Sequence, residues 1–205
     1  MIIPDKKILF VHIPKTGGQS VTKYFLENIG EKTNLKNSKY GLINNKKSKR
    51  DGPHHFHHLL LKEYLDLGLV NNIDEYFKIT VVRNPYSRFI SAFYFNNLDK
   101  EFSFSEVLNK LPFEDSRTDL WRMFIPQIEF IKLNGNIAID KIFYQEKLDD
   151  MFDFFNKNYS MKGKFYANKS KIKTNHTILT KDEIKKINKI YFKDFQILRY
   201  KINEN

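Results

Sequence analysis

The sequence predicts one α/β domain over residues 1–205, built on a central, mostly parallel sheet flanked by helices. Three short apolar runs predict buried strands, at residues 7–13, Phe77–Val82 and Lys141–Tyr144. Each run is followed by a segment with helical spacing, and strands that alternate with helices are typical of parallel sheets. A chain of 205 residues without a repeat or a linker suits a single hydrophobic core.

The helices are predicted from apolar spacing and from start signals. Apolar residues from Val21 to Ile29 recur at the spacing of one helical face. Pro85 stands where a helix begins, and Thr180 with Glu183 after it forms a capping-box pattern. The predicted helices are residues 20–28, 59–67, 86–96, 104–111, 120–133, 147–156 and 180–199, with polar loops at 31–53 and 158–180.

The composition limits the class of protein. Hydrophobic residues make up 41% of the chain, which is too much for a disordered protein, and the lack of cysteine excludes disulfides. The net charge of +11 favours an anionic partner, although a solvated basic surface is an equally good explanation of the excess. The first residues lack a signal-peptide pattern, and no apolar run approaches the ~20 residues of a membrane span. We therefore expect a cytoplasmic protein with no transmembrane segment.

The most informative segment, HIPKTGGQS, occupies residues 12–20 between the first strand and the first helix. Its glycines allow backbone N–H groups to approach an anion, and the helix N-terminus adds unpaired donors and a dipole. The lysine precedes the glycines, whereas a Walker A loop places it after them. The segment predicts an anion-binding loop of another kind, with an ordinary strand-to-helix turn as the alternative. The candidate ligands of the anion are Lys15, Thr16, Gly17, Gly18, Gln19 and Ser20.

A second candidate segment, VRNPYSRFISAFY, follows the second strand at residues 82–94. Arg83 lies at the carboxyl end of that strand, where open α/β sheets bind ligands. Ser91 lies on the following helix, and an arginine fork with a hydroxyl suits one phosphate group. Arg88 is a further candidate ligand. The alternative is a helix N-terminus with scattered arginines on a solvated face.

Four of the six histidines lie in the segment PHHFHHLLLKE at residues 53–63. Short histidine-rich tracts are typical of metal binding, but the rest of the chain offers no clear companion ligands. A surface cluster without function is a second interpretation. The third is a general base, because an unperturbed imidazole pKa of about 6.5 suits proton removal at neutral pH.

Together, the two candidate segments resemble those of sulfotransferases that use 3′-phosphoadenosine 5′-phosphosulfate (PAPS). The resemblance is greatest to the carbohydrate branch, with heparan 2-O-, chondroitin and HNK-1 sulfotransferases and their small bacterial relatives. It implies the P-loop-type sulfotransferase fold. In that family a PKTGGxS loop binds the 5′-phosphosulfate, and an RNPxxRxxS segment binds the 3′-phosphate. By position, residues 15–20 form the 5′ site, and Arg83 and Ser91 form the 3′ site.

Weaker similarities to the family extend along the chain. Relatives carry a histidine just before a short leucine-rich helix, which His58 matches best and His57 next. Where relatives often have Ser or Thr after that histidine, this chain has Leu60 and Leu61. Other matching positions are Trp121, Pro126, Gln127, Glu146, Leu148, Tyr191, Asp194 and Tyr200.

The resemblance implies in-line displacement at sulfur, with PAPS as donor and 3′-phosphoadenosine 5′-phosphate (PAP) as product. His58 would remove the acceptor proton, while Lys15 and the loop N–H groups stabilise the departing phosphate oxygen. No metal is expected to be required, and no nucleic acid partner is expected. The expected acceptor is a hydroxyl of a glycan or glycoconjugate. A basic rim for an acidic glycan, or else a solvated face, is formed by Lys46, Lys47, Lys49, Arg50, Lys169, Lys171 and Lys173.

Two other functions remain open from the sequence. A kinase with a divergent P-loop predicts magnesium-dependent ATP turnover without a response to PAPS. A non-catalytic basic module that binds polyanions rests on charge alone, because the chain has no recognisable nucleic-acid-binding motif. Such a module predicts binding with a steep salt dependence and no stabilisation by PAP.

Overall fold

The computed structural model describes residues 1–30, 58–112, 119–166 and 178–204. Its strands are β1 (Ile2–Ile3), β2 (Ile8–Val11), β3 (Phe77–Val82), β4 (Lys132–Leu133), β5 (Asn136–Ile137) and β6 (Lys141–Tyr144). Its α-helices are α1 (Gly18–Asn28), α2 (Leu61–Asp66), α3 (Pro85–Phe95), α4 (Phe104–Asn109), α5 (Asp119–Phe124), α6 (Gln127–Phe130), α7 (Leu148–Asn158), α8 (Lys181–Ile190) and α9 (Phe192–Ile197). No helix among the described residues is both long and apolar enough to cross a membrane.

The central sheet has the strand order β1-β2-β3-β6, in which β2, β3 and β6 run parallel. Strand β1 is an antiparallel edge strand, where Ile2 pairs with Leu9. Strands β3 and β6 have the predicted bounds, and β2 is shorter than the predicted residues 7–13. The carboxyl ends of the three parallel strands lie at one edge, which is where open α/β sheets bind ligands.

Alternate residues of the parallel strands contact helices on opposite faces of the sheet. On one face, Phe10 shares a buried cluster with Phe25 of α1 and Phe152 of α7. On the other face, Leu9 shares a cluster with Tyr64 of α2 and with residues of α6. Helices on both faces of parallel strands confirm the prediction of a mixed α/β fold.

A third buried cluster joins α3 to α4, α8 and α9. It contains Phe89 of α3, Val107 of α4, Ile187 of α8 and Phe195 of α9. Because α3 begins directly after the loop that follows β3, this cluster fixes the position of the second candidate segment.

The prediction of continuous helices at residues 120–133 and 180–199 was wrong. Helices α5 and α6 are separated at Pro126, which has no N–H and disfavours helical backbone in the residue before it. Helices α8 and α9 are separated at Tyr191, whose buried hydroxyl donates to the carbonyl oxygen of Phe124 at 2.6 Å. In both places the chain turns so that short helices pack against the sheet and α3.

Strand β4 also lies where a helix was expected, and it forms a hairpin with β5. Asn134 and Gly135 have φ of 51° and 82°, as a type I′ turn requires at its two central residues. Asn-Gly between two strands is a hairpin signal, so the sequence did contain the information for this turn.

Two predicted helix starts are confirmed. Thr180 Oγ1 accepts from the N–H of Glu183, and the Glu183 carboxylate accepts from the N–H of Thr180 at 2.8 Å. Pro85 is the first residue of α3, and the Asn84 side chain accepts from the N–H of Tyr86 at 3.1 Å.

Candidate active site

The loop after β2 turns tightly into α1. Lys15 and Gly17 both have left-handed backbone, with φ of 68° and 88°. The Ser20 N–H donates to Gly17 O at 3.0 Å, and the buried Thr16 hydroxyl donates to Ile13 O at 2.8 Å. The hydroxyl of Thr16 therefore stabilises the loop from within.

Helix α1 presents its N-terminus at the carboxyl edge of the sheet. It begins at Gly18, spans 11 residues and has no acidic residue in its first turn. Gln19 is exposed at this end of the helix, whereas Ser20 is buried. Free N–H groups and the positive end of the helix dipole favour an anion at such a position.

Gly18 is required by the close approach of His12. A Cβ atom at position 18 would lie 1.9 Å from Nε2 of His12. The His12 ring is itself held between other rings, stacked on Phe10 at 5.5 Å and edge-on to His58 at 4.6 Å between centroids. The second glycine of the loop therefore makes room for an imidazole beneath the helix N-terminus.

Substituting Gly18 by alanine is expected to destabilise the protein, because the buried His12 ring has to move. Overpacking of this kind costs about 1–3 kcal/mol, and each kcal/mol lowers the Tm of a chain of this size by roughly 2–4 °C. Thermal unfolding followed by circular dichroism measures the loss. In an H12A background the same substitution is expected to cost less, and an equal cost in both backgrounds would contradict the clash.

His58 lies directly beside this loop. Its ring is 7% exposed, and its Nδ1 is 3.2 Å from the carbonyl oxygen of His12. A carbonyl oxygen accepts and cannot donate, so this hydrogen bond requires the proton of neutral His58 to be on Nδ1. The Nε2 atom of that tautomer carries the lone pair that a general base needs.

Arg122 and Glu63 hold the backbone of His58 in place. Arg122 Nη1 donates to His58 O at 3.1 Å, and the guanidinium binds both carboxylate oxygens of Glu63, at 2.9 and 2.7 Å. Glu63 also accepts from the N–H of Leu60 at 2.7 Å, at the start of α2. Sequence reasoning missed this pair, since a helix start with leucine in place of Ser or Thr carries no capping-box signal.

Arg83 joins the second candidate segment to the first. Its Nη1 donates to the carbonyl oxygen of Lys15 at 3.2 Å. Its backbone is held by Gln127, whose side chain accepts from Arg83 N–H at 2.9 Å and donates to Arg83 O at 2.8 Å. Burial lowers the pKa of Arg83, and the charge of Glu146 opposes that effect. The structure thus brings Arg83 to the loop after β2.

The Gln127 side chain is positioned by a buried carboxylate near the end of the chain. Asp194 accepts from the N–H groups of Gln127 and Ile128 at 2.8 and 3.0 Å, at the start of α6. Burial raises the pKa of this carboxyl. The series Asp194, Gln127, Arg83 therefore links α9 to the candidate site.

The end of β6 completes the edge of the site. Glu146 accepts from Asn84 N–H at 2.8 Å and from the Tyr200 hydroxyl at 3.0 Å. Next to it, Gln145 packs against the loop, since a Cβ at Gly17 would lie 3.3 Å from its Cγ. All three parallel strands therefore place residues around the same loop.

Lys15 is half-buried at the mouth of this loop. Burial, followed by the charge of Arg83, lowers the pKa of Lys15 to about 8. Its Nζ lies 3.5 Å from the ring centroid of Phe95, at the end of α3. Ser91, half-buried, precedes Phe95 by one helical turn and so belongs to the same face of α3.

Arg88 occupies a position different from the expected one. It is 2% exposed, and its guanidinium donates to the carbonyl oxygens of Pro14, Ile125 and Arg122 at 3.0, 2.8 and 3.3 Å. A guanidinium enclosed in this way braces the loop after β2 against α5 and α6. This correction removes Arg88 from the candidate phosphate ligands, because its donors face backbone carbonyls inside the fold.

Several predicted features lie outside the described residues. These include His57 and the other histidines of the tract before His58, and all the residues of the predicted basic rim, Lys46, Lys47, Lys49, Arg50, Lys169, Lys171 and Lys173. Within the part of the chain that the structure describes, no group of three His, Cys, Asp or Glu side chains is arranged to hold a metal ion.

Comparison with known proteins gives a family for this geometry. A sequence model of the Sulfotransferase family matches residues 1–201, which include both candidate segments and the residues of α9. No curated protein and no solved structure matches the chain significantly. The family match covers almost the whole chain, and its members transfer sulfuryl groups. The chain therefore belongs to the sulfotransferase family and is a transferase enzyme.

Proposed function

We propose that this single-domain protein transfers a sulfuryl group from PAPS to a hydroxyl of a carbohydrate acceptor, with a histidine as general base. The observation that carries the proposal is the contact between the two candidate segments, where Arg83 Nη1 lies 3.2 Å from Lys15 O. It places two cationic side chains and a helix N-terminus at one edge of a parallel sheet. PAPS carries a phosphosulfate at one end and a phosphate at the other, and so needs two adjacent anion sites.

The first anion site suits the 5′-phosphosulfate. The N-terminus of α1 supplies backbone N–H groups without a competing carboxylate in its first turn. The ammonium of Lys15 is half-buried, and it therefore interacts more strongly with an anion than the ammonium of an exposed lysine does. The proposed ligands are Lys15, the N–H of Thr16, Gly17, Gly18, Gln19 and Ser20.

The second anion site suits the 3′-phosphate. The side chain of Gln127 holds the Arg83 backbone through two hydrogen bonds, which fixes the point from which the guanidinium extends toward the loop after β2. Ser91 lies on the face of α3 that turns toward Lys15, as the contact of Lys15 with Phe95 indicates. An arginine and a hydroxyl held on neighbouring elements are suited to bind one phosphate group.

His58 is the proposed base. Its Nδ1 is engaged by His12 O, so Nε2 accepts the acceptor's proton as the acceptor oxygen bonds to sulfur. The bond from sulfur to the 5′-phosphate oxygen breaks in the same step, and Lys15 and the loop N–H groups stabilise the charge left on that oxygen. A carbohydrate acceptor is supported by the resemblance to carbohydrate sulfotransferases and by the net charge of +11.

The donor is tested by thermal unfolding with PAP and with adenosine 5′-monophosphate, which differ only in the 3′-phosphate. A ligand at one hundred times its Kd stabilises the folded state by about 2.7 kcal/mol. For this chain length that corresponds to a rise in Tm of roughly 5–11 °C with PAP. We expect little rise with the monophosphate or with ATP. Equal stabilisation by ATP, with magnesium-dependent ATP turnover, would instead favour a kinase.

A further inference from the structure

Phe95 is an unusually exposed aromatic residue at the last turn of α3. Phe95 is 58% exposed, whereas Phe89 and Phe93, which precede it in α3, are buried. The Lys15 ammonium lies over its ring, 3.5 Å from the centroid. The face of an aromatic ring is negative, and a cation at this distance is attracted to it.

The surroundings of Lys15 otherwise disfavour its charged form. Burial lowers its pKa to about 8, and the charge of Arg83, from the loop after β3, acts in the same direction. The ring of Phe95, from α3, acts in the opposite direction because only the protonated amine gains from it. The backbone of Lys15 is also constrained, with its left-handed φ of 68° and its carbonyl bonded to Arg83.

We propose that Phe95 is a positioning residue for Lys15, and that its ring holds the ammonium at the mouth of the loop until an anion takes its place. The identity of that anion as PAPS rests on the proposed function. The ring lies one turn beyond Ser91 on the same helix face, so it holds the lysine beside the proposed donor site. A lysine held there reaches an arriving anion without a search through its rotamers.

The proposal is tested on the free, full-length protein by trace acylation of lysines at a series of pH values, with each peptide quantified by mass spectrometry. In Phe95→Leu, the pH midpoint for acylation of Lys15 is expected to fall by about half a pH unit, because a cation–π contact of ordinary strength is lost. Phe95→Tyr, which keeps a ring, is expected to retain the original midpoint. An unchanged midpoint in Phe95→Leu overturns the proposal.

Lys23 is the internal reference for this experiment. It is exposed on α1, and its ammonium lies 5.6 Å from the ring of Phe165, so substitution of Phe95 leaves its acylation profile unchanged. An equal change at Lys15 and Lys23 would reveal a general loosening of the fold and would count against a specific role. Phe95→Met, with an unbranched side chain and no ring, is a second variant expected to behave like the leucine variant.

The titration needs no donor and no acceptor, so it separates the two proposals. If PAP fails to stabilise the protein while Phe95→Leu still lowers the Lys15 midpoint, the donor assignment fails and the role of Phe95 stands. If PAP stabilises the protein and the midpoint is unchanged, the role of Phe95 fails alone. Where sulfuryl transfer is measurable, kcat/KM for the donor, which reports the free enzyme, is expected to decline at a lower pH in Phe95→Leu than in Phe95→Tyr.

Discussion

Replacing Lys15 by alanine is expected to lower turnover by a factor on the order of 10²–10³, as loss of one donor to a developing oxyanion typically does. The structure supplies a reason for an effect at the upper end of that range. The ammonium is half-buried beside the N-terminus of α1. In the alanine variant, water at this partly buried position stabilises the charge of the transition state less than the ammonium does. Initial rates at saturating donor and acceptor measure the loss.

The matched control for this substitution is Lys23→Ala. Lys23 lies on α1, directly after the loop that holds Lys15, and it also approaches an aromatic ring, that of Phe165. It removes the same charge from the chain, so equal losses of activity in the two variants would assign the effect to net charge and contradict a direct role of Lys15. Folding of both variants is checked by their thermal unfolding in the absence of ligand.

The same lysine predicts a pH dependence of donor binding. The pKa of Lys15 is lowered to about 8 by burial and by Arg83, and only its protonated form attracts an anion. The affinity for PAP is therefore expected to be full below this value and to decline as the pH rises through it. In Lys15→Arg, whose guanidinium stays protonated, that decline should disappear from the range around pH ~8.

Replacing His58 by alanine is expected to reduce turnover by roughly 10²–10⁴, the usual contribution of a general base, while PAP still binds. The two effects separate because His58 contacts the loop through His12 O, whereas the proposed donor ligands are the lysine, N–H groups and arginine around it. Rates of sulfuryl transfer and the thermal shift with PAP, measured on the same preparation, test both halves of this prediction.

The neighbouring histidine provides the control for the base. Normal turnover in His58→Ala together with loss of turnover in His57→Ala would transfer the role to His57. Normal turnover in both variants would remove the histidine from the mechanism. If His58→Ala no longer responds to PAP, the ring supports the loop after β2 in addition to any role as a base.

The sequence predicted those parts of the site that depend on local pattern. The strands Phe77–Val82 and Lys141–Tyr144, and the loop between β2 and α1, are marked by apolar runs, by glycines and by a proline. Neighbouring residues suffice to define them, because a buried parallel strand and a tight turn each impose their own composition.

The remaining parts depend on residues distant in the chain. The contact of His58 with His12 spans 46 positions, and the hydrogen bond of Arg122 to Glu63 spans 59. Arg88 matched the expected pattern of a phosphate ligand, but the packing of α3 against the loop after β2 turns its guanidinium inward. Such contacts depend on how the helices pack across the sheet. A short window of sequence does not determine this packing, because the contacting residues are far apart in the chain.

The carboxylate of Asp194 sets a practical limit on how the chain can be shortened or recombined. A chimaera that takes both candidate segments from this protein but a different C-terminal helix keeps every strand of the sheet. It nevertheless loses the Asp194 oxygens that accept from the N–H groups of Gln127 and Ile128. Without them, the Gln127 side chain is no longer held where it hydrogen-bonds the Arg83 backbone. The smallest exchangeable unit that retains the proposed donor site is thus discontinuous, and it includes α9 together with Arg83.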